Sequence, residues 1–414
     1  MFMGLPDDVS RRQFMRELIK RINNPIKPVE ISRADAPCKE VIKVGKEANL
    51  LDLPIPYSHA TDGGRYLTIL GIINQDPDTG WTNVGNYRWM VKDRRRGAAL
   101  WVLGQQGPTI YYTKYDLRNQ AMPFCIAVGS DPLFFHVSLM PVPAGVCEYD
   151  ILGGLREKPL EVVRAETNNL LVPADAEIVI EGEVRPRERT DEGPFGEYSG
   201  YTQGRNISPI FRVNCITTRK NPLLPAHSEG MQWCEDCSTP GMEAFYMDNV
   251  RKFGLEMPED WYVGPQGYSL SPAPFKAKSP TDVNRLAQIA FYSKQSIHNA
   301  ALVIVTDPDI EAGDARDWME ASGLYHYPAD IIKTNSDVYN SPLHFYSDIE
   351  DRGKAIDGGK RAWDATTQFK PWLFPHKKDT FEHAYPLEVR ERVMKLWKKL
   401  GFDQAFERKD LEAI

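Results

Sequence analysis

Asn83-Val-Gly-Asn-Tyr-Arg88 and Glu192-Gly-Pro-Phe-Gly-Glu197 are the stretches whose reading decides this chain. Each sets two reactive residue types five positions apart on a glycine-containing segment. In the second, Gly193, Pro194 and Gly196 sit poorly in a helix or a central strand, so the segment reads as a shaped loop. Such a loop holds Glu192 and Glu197 in fixed directions, as a reacting group requires. Two neighbouring carboxylates do not both ionise easily, so the pKa of one rises and it can deliver a proton near neutral pH. An arginine beside the other keeps it charged. Arg88, planar and permanently cationic, also suits a substrate carboxylate. A lone glutamate pair is usually solvated and a lone arginine usually lies on the surface. Coupled to the Asn-x-Gly-x-Tyr-Arg element, the two stretches point to one acid–base site.

Working outward, the stretch from 66 to 216 reads mainly as short β segments: YLTILGII, ALWVL, PFCIAVG, AEIVIEGEV and IFRVNCIT. Gly, Pro and Asp punctuate them, as in a barrel or a sandwich. Before them, residues 8–22 carry Phe14, Leu18 and Ile22 at helical spacing, with Ser10 as a cap and Pro25 beyond the end. After them comes a loop-rich stretch over 221–280, then a helix near 281–295 and the apolar strand ALVIV. A helix near 313–321 follows that strand, a βα order expected of an α/β domain in the last third. The final helix, 387–400, is expected to gather Val389, Val393, Leu396, Trp397 and Leu400 on one face.

At 414 residues the chain exceeds the ~250–300 at which one core stops growing, so two or more domains are expected. A formal charge of −7 argues against a general nucleic-acid binder. No run approaches the roughly 18 apolar residues of a membrane span, and the first residues lack the apolar core of a signal peptide, which makes the cytoplasm the default. The six cysteines are scattered like reduced thiols. Cys234-Glu-Asp-Cys237 is a lone pair that would need two more zinc ligands, with His227 and Glu229 as loose candidates; two ordinary loop cysteines are the favoured reading.

The two hallmark stretches, in this order and at this separation, resemble those of the UbiD family, reversible decarboxylases that use prenylated flavin mononucleotide. The likeness extends over nearly the whole chain: Gly4-Leu-Pro6, Pro37-Cys-Lys-Glu40, Leu53-Pro-Ile-Pro56, Asp62-Gly-Gly64, Met140-Pro-Val-Pro143, Asn168-Asn-Leu-Leu-Val-Pro173, Glu181-Gly182, Val305-Thr-Asp-Pro-Asp-Ile310, Gly358-Gly-Lys360 and Tyr385-Pro386. Within the family it leans to the ferulate/cinnamate decarboxylase branch.

The resemblance implies an α+β fold with a central split β-barrel flavin-binding domain followed by a C-terminal α/β domain, and an N-terminal α/β domain largely missing. On this reading residues 1–65 are an entry segment, 66–225 the prenylated-FMN barrel, 226–295 a linker and helix, and 296–414 an oligomerisation domain. It implies a catalytic network of Arg88, Glu192 and Glu197. Asn83 and Glu148 are expected to hold manganese or magnesium on the cofactor phosphate, with potassium nearby and Lys360 at the phosphate. The backbone around Ser138, Leu139, Met140 and Pro141 is expected beside the flavin. The family's third metal ligand is a histidine where this chain reads Leu103-Gly-Gln-Gln-Gly107, so Gln106, with Gln105 beside it, takes that place. A glutamine oxygen coordinates a hard cation but is neutral, and weaker than imidazole for manganese.

In such proteins the cofactor accepts the electron pair released with carbon dioxide, leaving the protein to position and protonate. Arg88 is then expected to orient the reacting pair and keep Glu192 ionised, Glu197 to protonate carbon, and Tyr198 to contact substrate. A cinnamate-type acid, a heteroaromatic acid and a benzoate or its thioester all fit. Expected partners are a flavin prenyltransferase that supplies the cofactor, and a second copy in a homodimer or larger even assembly, with room for a second type of subunit. The competing readings are an inactive accessory subunit of a carboxylase complex and an ordinary flavin oxidoreductase.

Overall fold

Alternation along the central strands organises the molecule. In the computed structural model, which describes residues 3–6, 8–101, 104–197, 200–227, 239–263, 270–292, 302–327, 331–333, 338–339, 355–356, 360–370 and 381–399, these strands form a nine-stranded antiparallel sheet. Its order is Tyr66–Leu67, Trp89–Val91, Arg96–Ala99, Asn206–Thr218, Ile178–Glu192, Met122–Val128, Gly71–Gln75 and Thr82–Gly85, with Val41–Val44 paired to Asn206–Thr218. Ile72, Phe124, Ile126, Ile178 and Ile180 enter one apolar cluster with Trp89, Trp101 and Phe211. Their sequence neighbours Ile73, Cys125, Ala127 and Val179 enter another, shared with the surrounding helices. A sheet buried on both faces needs apolar residues at successive positions, which is why these segments read as continuous hydrophobic runs. Phe211 gathers Trp101 and Phe124 edge-on at ring-centroid separations of 4.7 and 4.9 Å.

Ser10 caps the helix Arg11–Ile22 as expected: its hydroxyl accepts the Gln13 N–H while its own N–H donates to the Gln13 side chain. Met15, Leu18, Ile19 and Ile22 are buried, and the helix packs on Glu148–Arg156 and Thr239–Lys252. The approach to Glu148–Arg156 is close enough that a Cβ on Gly153 would lie 2.2 Å from the Ile26 carbonyl oxygen. Only glycine fits there.

The last third holds a second sheet, ordered Leu270–Pro274, Leu302–Thr306, Arg361–Ala365 and Ile331–Lys333. The first three strands run parallel and the fourth antiparallel. Helices Asp282–Tyr292 and Ala315–Tyr325 stand before and after Leu302–Thr306, so the α/β order expected there is present. By compactness the chain divides into Met1–Thr366 and Thr367–Ile414. The second unit contains helix Leu387–Lys399, in which Val389 and Val393 are half-buried but Leu396, expected on the same face, is exposed.

Several expectations need correction. The stretch 221–280 is not all loop: Thr239–Lys252 is a helix, hidden because Pro240 and Gly241 read as breakers, whereas proline is well tolerated in a first turn. The 66–216 stretch holds helices at Gln106–Ile110, Pro132–Leu139 and Glu148–Arg156 and a π-helical turn at Tyr111–Asp116, and two of its strands are 15 and 13 residues long. The strand expected in ALWVL lies earlier, at Arg96–Ala99. Cys234, Cys237, Glu229, Tyr198, Gly358, Gly359 and Leu400 lie outside the described residues. No helix among the described residues is long and apolar enough to cross a membrane.

Candidate active site

The segment Thr82–Val91, which links two strands that do not pair with each other, carries the site. Its first strand, Thr82–Gly85, holds Asn83; its second, Trp89–Val91, starts one residue after Arg88. Arg88 reaches Glu192, the last residue of the long strand Ile178–Glu192, as a fork: Nε donates to Oε1 at 2.9 Å and Nη2 to Oε2 at 2.8 Å. Its third nitrogen, Nη1, pairs with Glu197 Oε1. All three side chains are buried. The Phe195 ring lies under the guanidinium, 4.9 Å from Cζ to centroid. Burial by itself disfavours the cation, but the charges of Glu197 and Glu192 outweigh it and raise the Arg88 pKa above its ordinary value. The two glutamates and the arginine thus form one cluster with a net charge of about −1 when ionised. Each guanidinium nitrogen of Arg88 thus carries one bond to a carboxylate, and Nη1 and Nη2 each have a second N–H.

The shaped loop is held from the other side by Tyr57–Gly63. Asp62 accepts the Gly196 N–H through Oδ1 (2.8 Å) and the His59 N–H through Oδ2 (3.0 Å). The Gly63 N–H donates to the Pro194 carbonyl at 2.7 Å, and the Gly193–Pro194 peptide is cis. Gly193 has φ +87, and a Cβ there would lie 2.5 Å from the Gly204 carbonyl oxygen. Phe195–Gly196 forms a two-residue strand on Thr202–Gln203, and the Glu197 N–H donates to Tyr201. Tyr66, in a strand 126 residues before Glu192, donates its hydroxyl proton to Glu192 Oε1 at 3.0 Å.

A second cluster of oxygen donors surrounds Asn83. Glu148, the first residue of helix Glu148–Arg156, accepts the Val84 N–H at 2.8 Å, which sets it against the Asn83 strand. The Asn83 amide donates to Asn74 Oδ1 (3.1 Å), and the Asn74 amide donates to the Gly107 carbonyl (3.3 Å), tethering the turn that begins at Gln106. Gln106 opens the helix Gln106–Ile110, with Gln105 as its N-cap, and donates to the Val142 carbonyl at 3.0 Å. The Asn86 N–H donates to the Ser138 carbonyl near the end of helix Pro132–Leu139, so the half-buried run Leu139, Met140 and Pro141 leaves that helix beside the segment that links the two strands. Among the described residues no three His, Cys, Asp or Glu side chains cluster for a metal, and the donors here are two amides and one carboxylate. His227 bonds Thr68 Oγ1 at 3.3 Å.

Lys360 stands apart in the chain, at the start of the second-sheet strand Arg361–Ala365; burial pushes its ammonium down to about 7. Sequence reasoning missed Tyr66, Asn74 and the role of Asp62. Asp62-Gly-Gly64 stood out only as a family pattern, and neither Tyr66 nor Asn74 has a local signal that names its distant partner.

The structure sets a buried arginine–glutamate cluster and a group of side-chain oxygens on a nine-stranded antiparallel sheet. Residues 29–232 match the model of the UbiD family, 3-octaprenyl-4-hydroxybenzoate carboxy-lyase Rift-related domain. The chain is 28% identical over 426 residues to ferulic acid decarboxylase 1 of Saccharomyces cerevisiae, covering 97% of this chain and 82% of that protein. It is 29% identical over 431 residues to pyrrole-2-carboxylic acid decarboxylase of Pseudomonas aeruginosa, covering 98% and 84%. Among solved structures, vanillic acid decarboxylase of Sedimentibacter hydroxybenzoicus in its closed form matches with a TM-score of 0.85 at 25% identity, over 96% of this chain and 84% of that one. An evolved dimeric form of the UbiD-class enzyme HmfF from Pelotomaculum thermopropionicum, in complex with prFMN, matches with a TM-score of 0.72 at 27% identity, over 88% and 79%. Residues 29–232 are thus a UbiD-family domain, and the chain resembles UbiD-class decarboxylases along nearly its whole length.

Proposed function

We propose that this protein catalyses the reversible, non-oxidative decarboxylation of an aromatic, heteroaromatic or α,β-unsaturated carboxylic acid with prenylated FMN bound, and that Arg88, Glu192 and Glu197 act on the reacting atoms. The observation that carries the proposal is the buried cluster in which one guanidinium is shared between Glu192 and Glu197. Glu192 receives both prongs of the Arg88 fork and the Tyr66 hydroxyl, which stabilise its anion. Glu197 meets the remaining arginine nitrogen. Glu197 is therefore the residue suited to give a proton to carbon on decarboxylation and to take it back in the other direction.

The donor set fits the cofactor's ion. Asn83 and Gln106 each spend their amide NH2 on a neighbour, so the amide oxygen is the atom each has to offer. With the Glu148 carboxylate this makes a hard, oxygen-only set suited to manganese or magnesium. Asn83, Gln106 and Glu148 would hold the divalent ion, with potassium nearby. Gln105, Ser138, Leu139, Met140 and Pro141 would line the flavin, and Lys360 would meet the phosphate. The bound cofactor supplies an electron sink for the bond to carbon dioxide. Arg88 orients, Glu192 holds the charge of Arg88 in place, and the loop 192–197 keeps Glu197 within reach of the substrate carbon.

A flavin prenyltransferase would supply the cofactor, in the cytoplasm, and the working form would be a homodimer or larger even assembly, with or without a second type of subunit. The test is co-expression with a flavin prenyltransferase, an absorbance spectrum, and carbon dioxide release from ferulate, cinnamate, pyrrole-2-carboxylate and vanillate. Turnover of at least one of these acids or a close analogue, lost in the unprenylated preparation, supports the proposal. Ordinary flavin absorbance with pyridine-nucleotide oxidation and no carbon dioxide release overturns it.

A further inference from the structure

We infer that Tyr66 is the positioning residue that decides which of the two carboxylates around Arg88 carries the exchangeable proton. The argument is one of donors and acceptors. The Gly193 N–H points its proton at the Tyr66 oxygen, 3.0 Å away. A phenol has one proton, and an N–H cannot accept it, so the Tyr66 proton is committed to its other neighbour, Glu192 Oε1, at 3.0 Å. The same oxygen takes Arg88 Nε, and Oε2 takes Arg88 Nη2. Glu192 therefore receives three donors, two on Oε1 and one on Oε2, all of which favour its anion over its acid. The proton that the net-negative cluster takes up is thereby directed to Glu197.

Tyr66 is well placed to enforce this. It is 1% exposed, its backbone pairs with Met90 across the Trp89–Val91 strand, and its ring packs on Phe195 at 4.4 Å. Burial and the Glu192 charge raise its pKa, so it remains a donor throughout the physiological range. The charged and titratable groups around the cluster are Arg88, Glu192 and Glu197 themselves, then Asp62 and His59 behind Gly196. Asp62 is occupied by two N–H groups, and the His59 ring lies against Gly196 with its Nδ1 3.4 Å from Asp62 Oδ2.

The inference rests on the reading of Glu197 as the acid, and its test is built to fail separately. Carboxyl infrared spectra of the cofactor-free protein are recorded against pH for wild type, Glu192→Gln, Glu197→Gln, Tyr66→Phe and Met90→Leu. The protonated-carboxyl band of the cluster should vanish in Glu197→Gln and persist in Glu192→Gln. In Tyr66→Phe the loss of one donor to the Glu192 anion should move the cluster's titration up by about one pH unit. With cofactor and substrate, kcat for Tyr66→Phe should fall about tenfold, its alkaline limb moving the same way, while KM stays near wild type. Met90→Leu alters the same small apolar cluster and removes the sulfur that Lys92 Nζ approaches at 3.9 Å, but no bond to Arg88, Glu192 or Glu197, and should leave titration and pH profile unchanged. Where Tyr66→Phe does not fold, 3-fluorotyrosine at position 66, a stronger donor, should move the titration in the opposite direction. A wild-type titration and pH profile in the Tyr66 variants would overturn the inference even if Glu197→Gln is inactive. Full turnover by Glu197→Gln would overturn the acid assignment itself, whatever Tyr66 does.

Discussion

Arg88→Lys keeps the positive charge and removes the fork. In the native site three nitrogens meet two carboxylates, with Nε and Nη2 on Glu192 and Nη1 on Glu197. A lysine ammonium is a compact charge that can serve one of these carboxylates well but not both. Two of the three charge-assisted bonds are lost, each worth about 1.5–3 kcal/mol. Coulomb attraction from the retained charge offsets part of this, which places the loss near the ~3–5 kcal/mol seen when a buried pair is broken. The unit that contains Arg88, Met1–Thr366, has an unfolding entropy of roughly 0.77 kcal/mol/K if each of its 366 residues contributes about 2.1 cal/mol/K. The expected fall in Tm is then about 4–6 °C, measured by calorimetry on cofactor-free protein at pH 7. Carbon dioxide release should fall at least about 100-fold, because the general acid loses its fixed position. A Tm within about 1 °C of wild type together with more than half the turnover would refute the claim that the fork organises the site.

Glu197→Gln is expected to fold and retain cofactor but to lose about 10³-fold in turnover; near-normal carbon dioxide release would end the acid assignment. Gln106→His should increase bound manganese and flavin after desalting, read by elemental analysis and absorbance, since imidazole is the stronger ligand; unchanged content would mean that another group completes the site. Glu243 offers a pH test. Burial raises its pKa, Arg11 and the Val263 N–H lower it, Asp260 raises it, and the net effect pushes it up to about 7. Because the folded pKa lies above the unfolded one, this group's stabilisation is present below about pH 4.5 and is lost as pH rises through 7. Tm should therefore fall by a few degrees between pH 5 and 8, and Glu243→Gln should flatten the slope; an unchanged slope would remove Glu243 as its source. For assembly, light scattering at micromolar concentration should give an even multiple of 47.1 kDa, and a stable monomer would contradict the proposed pairing.

The elements legible in the chain were those set by short-range physics. The Ser10 cap, the strands around Met122–Val128 and Asn206–Thr218, and the helices Asp282–Tyr292 and Leu387–Lys399 follow from spacing, caps and breakers within a few residues. The same holds for the site. Arg88 lies five residues beyond Asn83, and Glu197 five beyond Glu192, so each pair could be read as a unit. Breakers also misled: Pro240 and Gly241 hid the helix Thr239–Lys252, whose apolar residues are stabilised by packing on Arg11–Ile22 and not by their own propensity.

What the sequence alone determined, then, is the chemical inventory: one arginine, two glutamates, and a set of oxygen donors carried on turns stiff enough to aim them. Tertiary structure decided how that inventory is wired. Arg88 is shared between both glutamates because the ends of two strands, 104 residues apart in the chain, meet there. Tyr66 and Asp62 hold the acidic loop from a segment about 130 residues upstream, and Asn74 links Asn83 to the Gln106 turn. These bonds join residues whose spacing along the chain carries no period and no cap. Only the pairing and packing of the folded chain bring their donors and acceptors within 3 Å or so of one another, and that distance is what sets the direction of each group.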